Sequence, residues 1–254
     1  NAMRVIITAA GAGSGRAIEE RLRRDGASLA ITDVDSAALA QTKAELGLSD
    51  AFAQVVDAAD DQGTAAFVAS VCSAWGGLDG LVNNAGIAGP TAGVADMTLA
   101  EWEQTIAVNL TGQFIATRRA VPHLKAGGGG AIVNISSSAG RMCLAYRTPY
   151  SASKFGVGGF THALAKELGQ DGIRVNAVLP GIVEGPRIDR VISARAAQLG
   201  ISEDEMRSRL LATTSMRQAV TAGNVADTVA FLVSDAGAAI SGQAIGVDAG
   251  LENI

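Results

Sequence analysis

Val5-Ile6-Ile7-Thr8-Ala9-Ala10-Gly11-Ala12-Gly13-Ser14-Gly15 decides the fold. The β-branched run has the composition of a buried strand, and the glycines after it permit a tight turn into a helix carrying Ile18 and Leu22. In such a turn the backbone N–H groups that open the helix are free to meet a pyrophosphate. Leu29-Ala30-Ile31-Thr32 reads as the second strand and ends at Asp33. That is close to the spacing of about 20 residues at which a carboxylate receives the adenosine ribose hydroxyls. Glycine turns alone are common, but the turn and the acid together point to a dinucleotide.

The alternation of apolar runs and helical periods continues along the chain. Further strands are expected at Ala53 to Val56, Leu78 to Val82, Ala131 to Ile135, Ile173 to Val178 and Ala244 to Val247. Helices are expected across Ala37, Leu39, Ala44 and Leu46, from Ala65 to Trp75, through Trp102 to Val121, and from Tyr150 to Leu168. Strands joined by helices run parallel, so the expected fold class is α/β: a Rossmann-type doubly wound parallel sheet of about seven strands in three layers, α/β/α. No linker interrupts residues 3–254, which read as a single dinucleotide-binding and catalytic domain. Asn1 and Ala2 precede Met3 and read as an expression scar. Between Pro180 and Val220 the rhythm changes to a loop with Pro186 and then charged helical sequence, with Ser202 and Glu205 at capping-box spacing. This stretch, about 183–218, is too long for a plain connection and reads as a helical cover on the substrate side.

Composition narrows the function. Hydrophobic residues make up 48% and charged residues 18% of the chain, which suits a large core and not a disordered chain. The net charge of -5 is spread without a Lys/Arg block, which argues against nucleic acid and anionic membrane as partners. No apolar run approaches the roughly 20 residues of a membrane span, and no signal-like segment opens the chain, so a cytoplasmic location is expected. Cys72 and Cys143 lack C-x-x-C spacing and read as reduced, partly buried thiols. His123 and His162 fall in helical stretches without ligand spacing, and no metal site is expected.

Tyr150-Ser151-Ala152-Ser153-Lys154 places a phenol and an ammonium on one face of a helical turn. A cation there favours phenolate, bringing a group with a reference pKa of about 10 toward the range in which it exchanges protons efficiently. With the glycine turn, these residues resemble the classical short-chain dehydrogenase/reductase family. The resemblance runs from Arg4 to Gly250. It takes in Asn83-Asn84-Ala85-Gly86, Asn109 within Val108-Asn109-Leu110, Ser137 before Tyr150, and Pro180-Gly181 after it. It implies that Tyr150 exchanges the proton with the substrate oxygen and that Ser137 hydrogen-bonds that oxygen. It further implies that Lys154 binds the nicotinamide ribose and lowers the Tyr150 pKa, while Asn109 anchors a water linking Lys154 to solvent. For the cofactor, it implies contacts from Gly11, Gly13, Ser14 and Gly15, with Asp33 on the ribose and Asp57 near the adenine. Asn84, Ala85 and Gly86 would lie beside the cofactor ribose, with Pro180, Gly181, Ile182 and Val183 toward the carboxamide. A homotetramer built partly from the long helices after strands four and five is also implied.

The expected function is NAD-dependent hydride transfer between nicotinamide and a secondary alcohol or ketone. Asp33 would repel a 2'-phosphate and neither Ala12 nor Val34 compensates, so NAD is favoured over NADP. Arg16 is the competing cation, read as solvated or structural. Alternatives are an NADPH-linked carbonyl reductase and a non-catalytic NAD(H)-binding scaffold; the presence of all four of Asn109, Ser137, Tyr150 and Lys154 weighs against the scaffold. Three positions depart from the family: Ala9 replaces the first glycine of the turn, Ser14 an aliphatic residue, and Gly185 a threonine that would meet the carboxamide. Ser136 and Ser138 read as local backbone hydrogen-bonders, and Tyr146, lacking a Lys four residues on, as a pocket wall. The small-molecule substrate itself stays open. Arg187, Arg190 and Arg195 are candidates to meet an anion, but Asp189, Glu203, Asp204 and Glu205 are expected to balance them. Met142, Leu144, Tyr146 and Val183 are candidates for an apolar lining.

Overall fold

The structure is a computed structural model, and it describes residues 2–251; Asn1 of the expected scar and positions 252–254 lie outside the described residues. β1 (Arg4–Ile7), β2 (Ser28–Asp33), β3 (Ala53–Val55), β4 (Gly80–Asn83), β5 (Gly130–Ile135), β6 (Ile173–Pro180) and β7 (Ala244–Val247) form one sheet in the order β3-β2-β1-β4-β5-β6-β7. Every neighbouring pair is parallel. The strand order reverses between β1 and β4, the place where a doubly wound sheet opens a crevice at the carboxyl ends of its strands.

Helices α1 (Gly13–Arg24), α2 (Ser36–Leu46), α3 (Asp61–Trp75), α4 (Leu99–Ile106), α5 (Gly112–Ala126), α6 (Thr148–Leu168), α7 (Pro186–Leu199), α8 (Glu203–Leu211) and α9 (Ala222–Val233) complete the described chain. Both faces of the sheet are covered. Val5 and Ile7 pack with Ile18 and Leu22 of α1 and Val225 and Val229 of α9. Ile6 turns to the other face, among Phe67 and Val71 of α3 and Ala116, Ala120 and Leu124 of α5. Burial on both faces explains why the strands are mostly apolar without strict alternation. Each such aliphatic side chain contributes about 1.5–3 kcal/mol by leaving water.

Several boundaries differ from the sequence reading for local reasons. α3 starts at Asp61, earlier than expected, because the Asp60 carboxylate caps it by accepting from the Gln62 N–H. The helix expected through Trp102 to Val121 is two helices joined by a π-helical turn, Ala107–Thr111. α9 was not expected at all; Thr221 and Asn224 cap each other reciprocally at its start. The anticipated box at Ser202 is only half formed: Ser202 accepts from the Glu205 N–H, but the Glu205 carboxylate bonds Arg209 at 2.6 Å. Cys72 is buried as expected, whereas Cys143 is exposed. Among the described residues no helix is long and apolar enough to cross a membrane, and no three His, Cys, Asp or Glu side chains gather as a metal site.

Candidate active site

The turn from β1 into α1 lies at the reversal of strand order. Ala9, in the place of the first glycine, takes φ 54°, the left-handed region that a Cβ disfavours. Its carbonyl accepts from Asn84 Nδ2 at 2.8 Å, while Thr8 Oγ1 accepts from the N–H groups of Asn84 and Ala85 at 3.0 and 3.1 Å. The β1 and β4 turns are thereby locked together. Gly15 cannot be larger, because a Cβ there would sit 2.1 Å from the Ala9 carbonyl oxygen. Gly11 donates its N–H to Asp33 Oδ2 at 2.8 Å, so the acid that ends β2 also holds the turn. Gly13, at φ 57°, faces open space, and Ser14 is half-buried in the first turn of α1, a turn with no acidic residue and no side-chain cap. These open N–H groups and the close glycine backbone fit a pyrophosphate. Asp57, past the end of β3, is exposed, and its carboxylate accepts from the Ala59 N–H at 2.9 Å. Arg16 is structural: it donates to Thr42 at 3.0 Å, to Glu20 at 2.8 Å and to Glu45 at 2.5 Å.

The second group of residues comes from β5, the π-helical turn and α6. Tyr150 lies in the first turn of α6, after Pro149, and is 8% exposed. Lys154, one turn on, is 4% exposed; its Nζ donates to the Ile135 carbonyl at 3.1 Å and stands 5.7 Å from the centre of the Tyr150 ring. Burial alone would raise the phenol pKa. The Lys154 charge outweighs it, helped by Ser137 and by the charge of Arg187, so the phenol lies below the ordinary tyrosine range. Burial lowers the Lys154 pKa, partly offset by Tyr150 and reinforced by Arg187. Ser137 stands where β5 has ended and starts a short 3-10 turn, its hydroxyl accepting from the Ala139 N–H at 3.1 Å. Ser136 instead donates to the Lys154 carbonyl at 2.9 Å, a bond that ties β5 to α6.

Asn109 is fully buried in the π-helical turn. Its Oδ1 accepts from the Ile87 N–H at 2.7 Å, and its Nδ2 donates to the Ile87 carbonyl and to Ser153 at 3.0 and 3.1 Å. A Cβ on Gly86 would lie 3.3 Å from Lys154 Nζ and 3.5 Å from Asn109 Oδ1, so Asn109 and Lys154 flank one spot. Beneath the site runs a chain of buried amides: Asn83 donates to Thr117 and to Asn134, and Asn134 to Thr161, at 2.8–3.0 Å. Past β6, Gly181 packs so tightly on Asp248 that a Cβ would come within 2.6 Å. Ile182 and Glu184 exchange backbone hydrogen bonds with Val220, and Val183 pairs with it, which pins the segment leading into α7 beside the end of β6.

Two side chains of the site were missed in the sequence. The Arg147 guanidinium lies 4.6 Å over the centre of the Tyr150 ring and donates to the Ala88 carbonyl at 2.8 Å. Arg187, named only for its charge, reaches the Tyr150 phenol from α7. A positive residue three before Tyr150 was the available signal for Arg147. Tyr146 is 66% exposed with φ 64°, and Leu144 is exposed as well, so neither forms part of a closed apolar pocket.

The chain and its fold are similar to known proteins. The family model described as enoyl-(acyl carrier protein) reductase matches residues 8–252. The chain belongs to the short-chain dehydrogenase/reductase family. It is 40% identical to a granaticin polyketide synthase putative ketoacyl reductase of Streptomyces violaceoruber, over 98% of this chain and 92% of that protein. Among solved structures it is similar to an actinorhodin polyketide ketoreductase with NADPH (TM-score 0.91, 34% identity, covering 100% of this chain and 98% of that one). It is also similar to an NAD+-bound xylitol dehydrogenase (TM-score 0.90, 26% identity, covering 98% and 99%). As a member of this family the chain is an oxidoreductase of the hydride-transfer type.

Proposed function

We propose that this short-chain dehydrogenase/reductase exchanges a hydride between NAD(H) and a secondary alcohol or ketone, with Tyr150 as its acid/base. The observation that carries this reading is the convergence of Lys154, Ser137 and Arg187 on the buried Tyr150 phenol. In oxidation the phenolate accepts the hydroxyl proton of the substrate; in reduction the phenol returns it. Ser137 holds the substrate oxygen in line, and Lys154 lowers the phenol pKa so that the phenolate forms more readily. Asn109 braces the Ile87 turn and the helix carrying Tyr150. Bound NAD supplies the hydride acceptor at carbon, so no discrete alkoxide accumulates. Gly11, Gly13, Ser14 and Gly15 would hold the pyrophosphate; Asn84, Ala85, Gly86, Lys154, Pro180, Gly181, Ile182 and Val183 would line the nicotinamide half, with Asp57 near the adenine.

NAD is preferred over NADP in this reading because Asp33 faces the turn and Arg16 is held by Glu20, Glu45 and Thr42. Fluorescence titration of NADH and NADPH into the native protein and Asp33→Ala tests it. NADH should bind the native protein at least about tenfold more tightly, a gap that one removed repulsion closes in the variant. Tighter NADPH binding by the native protein would replace this reading with an NADPH-linked carbonyl reductase. We also take residues 3–254 as one domain, residues 183–218 as its substrate cover, and the working form as a cytoplasmic homotetramer. Phe114 on α5 and Phe155 on α6, each 45% exposed, support helix faces that pair with further copies.

A further inference from the structure

The mouth of the site holds more positive charge than the fold neutralises. Among the described residues Arg147, Arg187 and Arg195 form no ion pair, although the cover is rich in acids. Those acids are committed elsewhere: Asp189 bonds Arg207 at 2.6 Å and Glu205 bonds Arg209 at 2.6 Å, while Glu184 and Asp204 also lie toward Arg207. The balance expected from the sequence is therefore not made at Arg187 or Arg195. Arg147 is half-buried and fixed by the Ala88 carbonyl and the Tyr150 ring, and its Nε is buried without a hydrogen-bond partner. Burial disfavours its charged form; Tyr150 opposes this, and the charges of Arg187 and Arg195 add to it. Like charges held around one half-buried guanidinium weaken the site until an anion enters. A guanidinium's planar fork matches the two oxygens of a carboxylate or related oxyanion.

We infer that the substrate is a short secondary alcohol or ketone carrying an oxyanion group, a hydroxy acid or its keto acid, whose anion is received by Arg187 while its carbinol faces Tyr150. Arg147 and Arg195 add to the field that draws the anion in. Because Arg147 lies 4.6 Å over the Tyr150 ring and the charge of Arg187 acts on both residues, the anion and the carbinol lie only a few bonds apart. The inference rests on the oxidoreductase reading above and deepens it.

The test compares kcat/KM for 3-hydroxybutyrate and 4-hydroxypentanoate with their methyl esters, on native protein, Arg187→Ala and Arg187→Lys, with NADH affinity measured alongside. At least one acid should exceed its ester by about tenfold or more, the size of a charge-assisted hydrogen bond. That ratio should fall to near one in Arg187→Ala and recover in part in Arg187→Lys, with NADH binding unchanged. An ester used as well as its acid, a ratio untouched by Arg187→Ala, or a loss of NADH affinity in that variant would overturn the inference; the last would assign Arg187 to the cofactor. Should no compound turn over, acetoacetate and methyl acetoacetate are titrated calorimetrically into the protein saturated with NADH. Binding of the anion alone, lost in Arg187→Ala, upholds the anion seat and places the failure in the hydride-transfer reading; no binding overturns the seat.

Discussion

Ala9→Gly should make the protein more stable. Ala9 holds φ 54° because its carbonyl must meet Asn84 Nδ2 and because Gly15 packs directly beneath it. A residue with a Cβ is about 1–2 kcal/mol less stable in that conformation than in the right-handed regions. Glycine removes this strain but has a freer unfolded chain, which returns about 0.4–1 kcal/mol. The net gain is about 0.5–1 kcal/mol, or a rise in melting temperature of about 1–4 °C for a chain of this size. Urea unfolding of both proteins, followed by circular dichroism at fixed protein concentration, reads the difference. Ala9→Val serves as the opposite control, since a β-branched residue tolerates a positive φ least and should lose stability. A glycine variant equal to or weaker than the native protein would show that the turn is not strained at Ala9. The argument from φ would then fail.

Lys154→Met removes the charge that does most to lower the Tyr150 phenol pKa, which then rises. In the oxidation direction, where activity needs phenolate, the rising limb of kcat/KM against pH should move to higher pH; a limb that stays in place would separate Tyr150 from the titration. Glu19, on α1, has no exposed surface, its carboxylate oxygens have no hydrogen-bond partner, and Arg16 Nε stands 3.4 Å away. Burial pushes its carboxyl up to about 7 from an ordinary 4.5, so the fold favours the protonated form. The stability this gives is whole below pH 4.5 and lost as pH rises through about 7. Glu19→Gln should therefore be more stable than the native protein by about 1–3 kcal/mol at pH 8, with the gap closing toward pH 5; equal urea midpoints at pH 8 would refute this.

Strand positions were legible in the sequence because both faces of this sheet are covered, which makes β1, β5 and β6 largely apolar runs between turns, broken in β5 by Asn134 and in β6 by Arg174 and Asn176. Asp33, Tyr150 and Lys154 were legible because the chemistry needs them at fixed offsets within one turn or one βα unit. Other features depend on contacts between distant segments. The π-helical turn that aims Asn109 is made by the side chain's bonds to Ile87 and Ser153, and nothing in Ala107–Thr111 alone specifies it. α9 lies where small and apolar residues give no sharp period, and its packing against α1 settles it. The charge of the cover was misread for the same reason. Counting acids and bases along the segment gives balance, but α7 packed on α8 gives Asp189 to Arg207, and Glu205 pairs with Arg209 one turn on within α8.

Those pairings give the charge at the site one direction. Lys154 and Arg187 both act to hold the phenol below its ordinary pKa against a burial that raises it, and Arg187 makes the Lys154 charge harder to keep. A hydrophobic pocket around the same tyrosine would keep the phenol protonated and reactive only in alkali. The buried lysine is tolerable because the Ile135 carbonyl accepts from it and because the phenolate it favours repays part of its own desolvation. Arg187 has no such internal partner besides the phenol. Its charge is exposed at the mouth, where a substrate anion can take the place of the missing carboxylate without displacing any ion pair that the fold already uses.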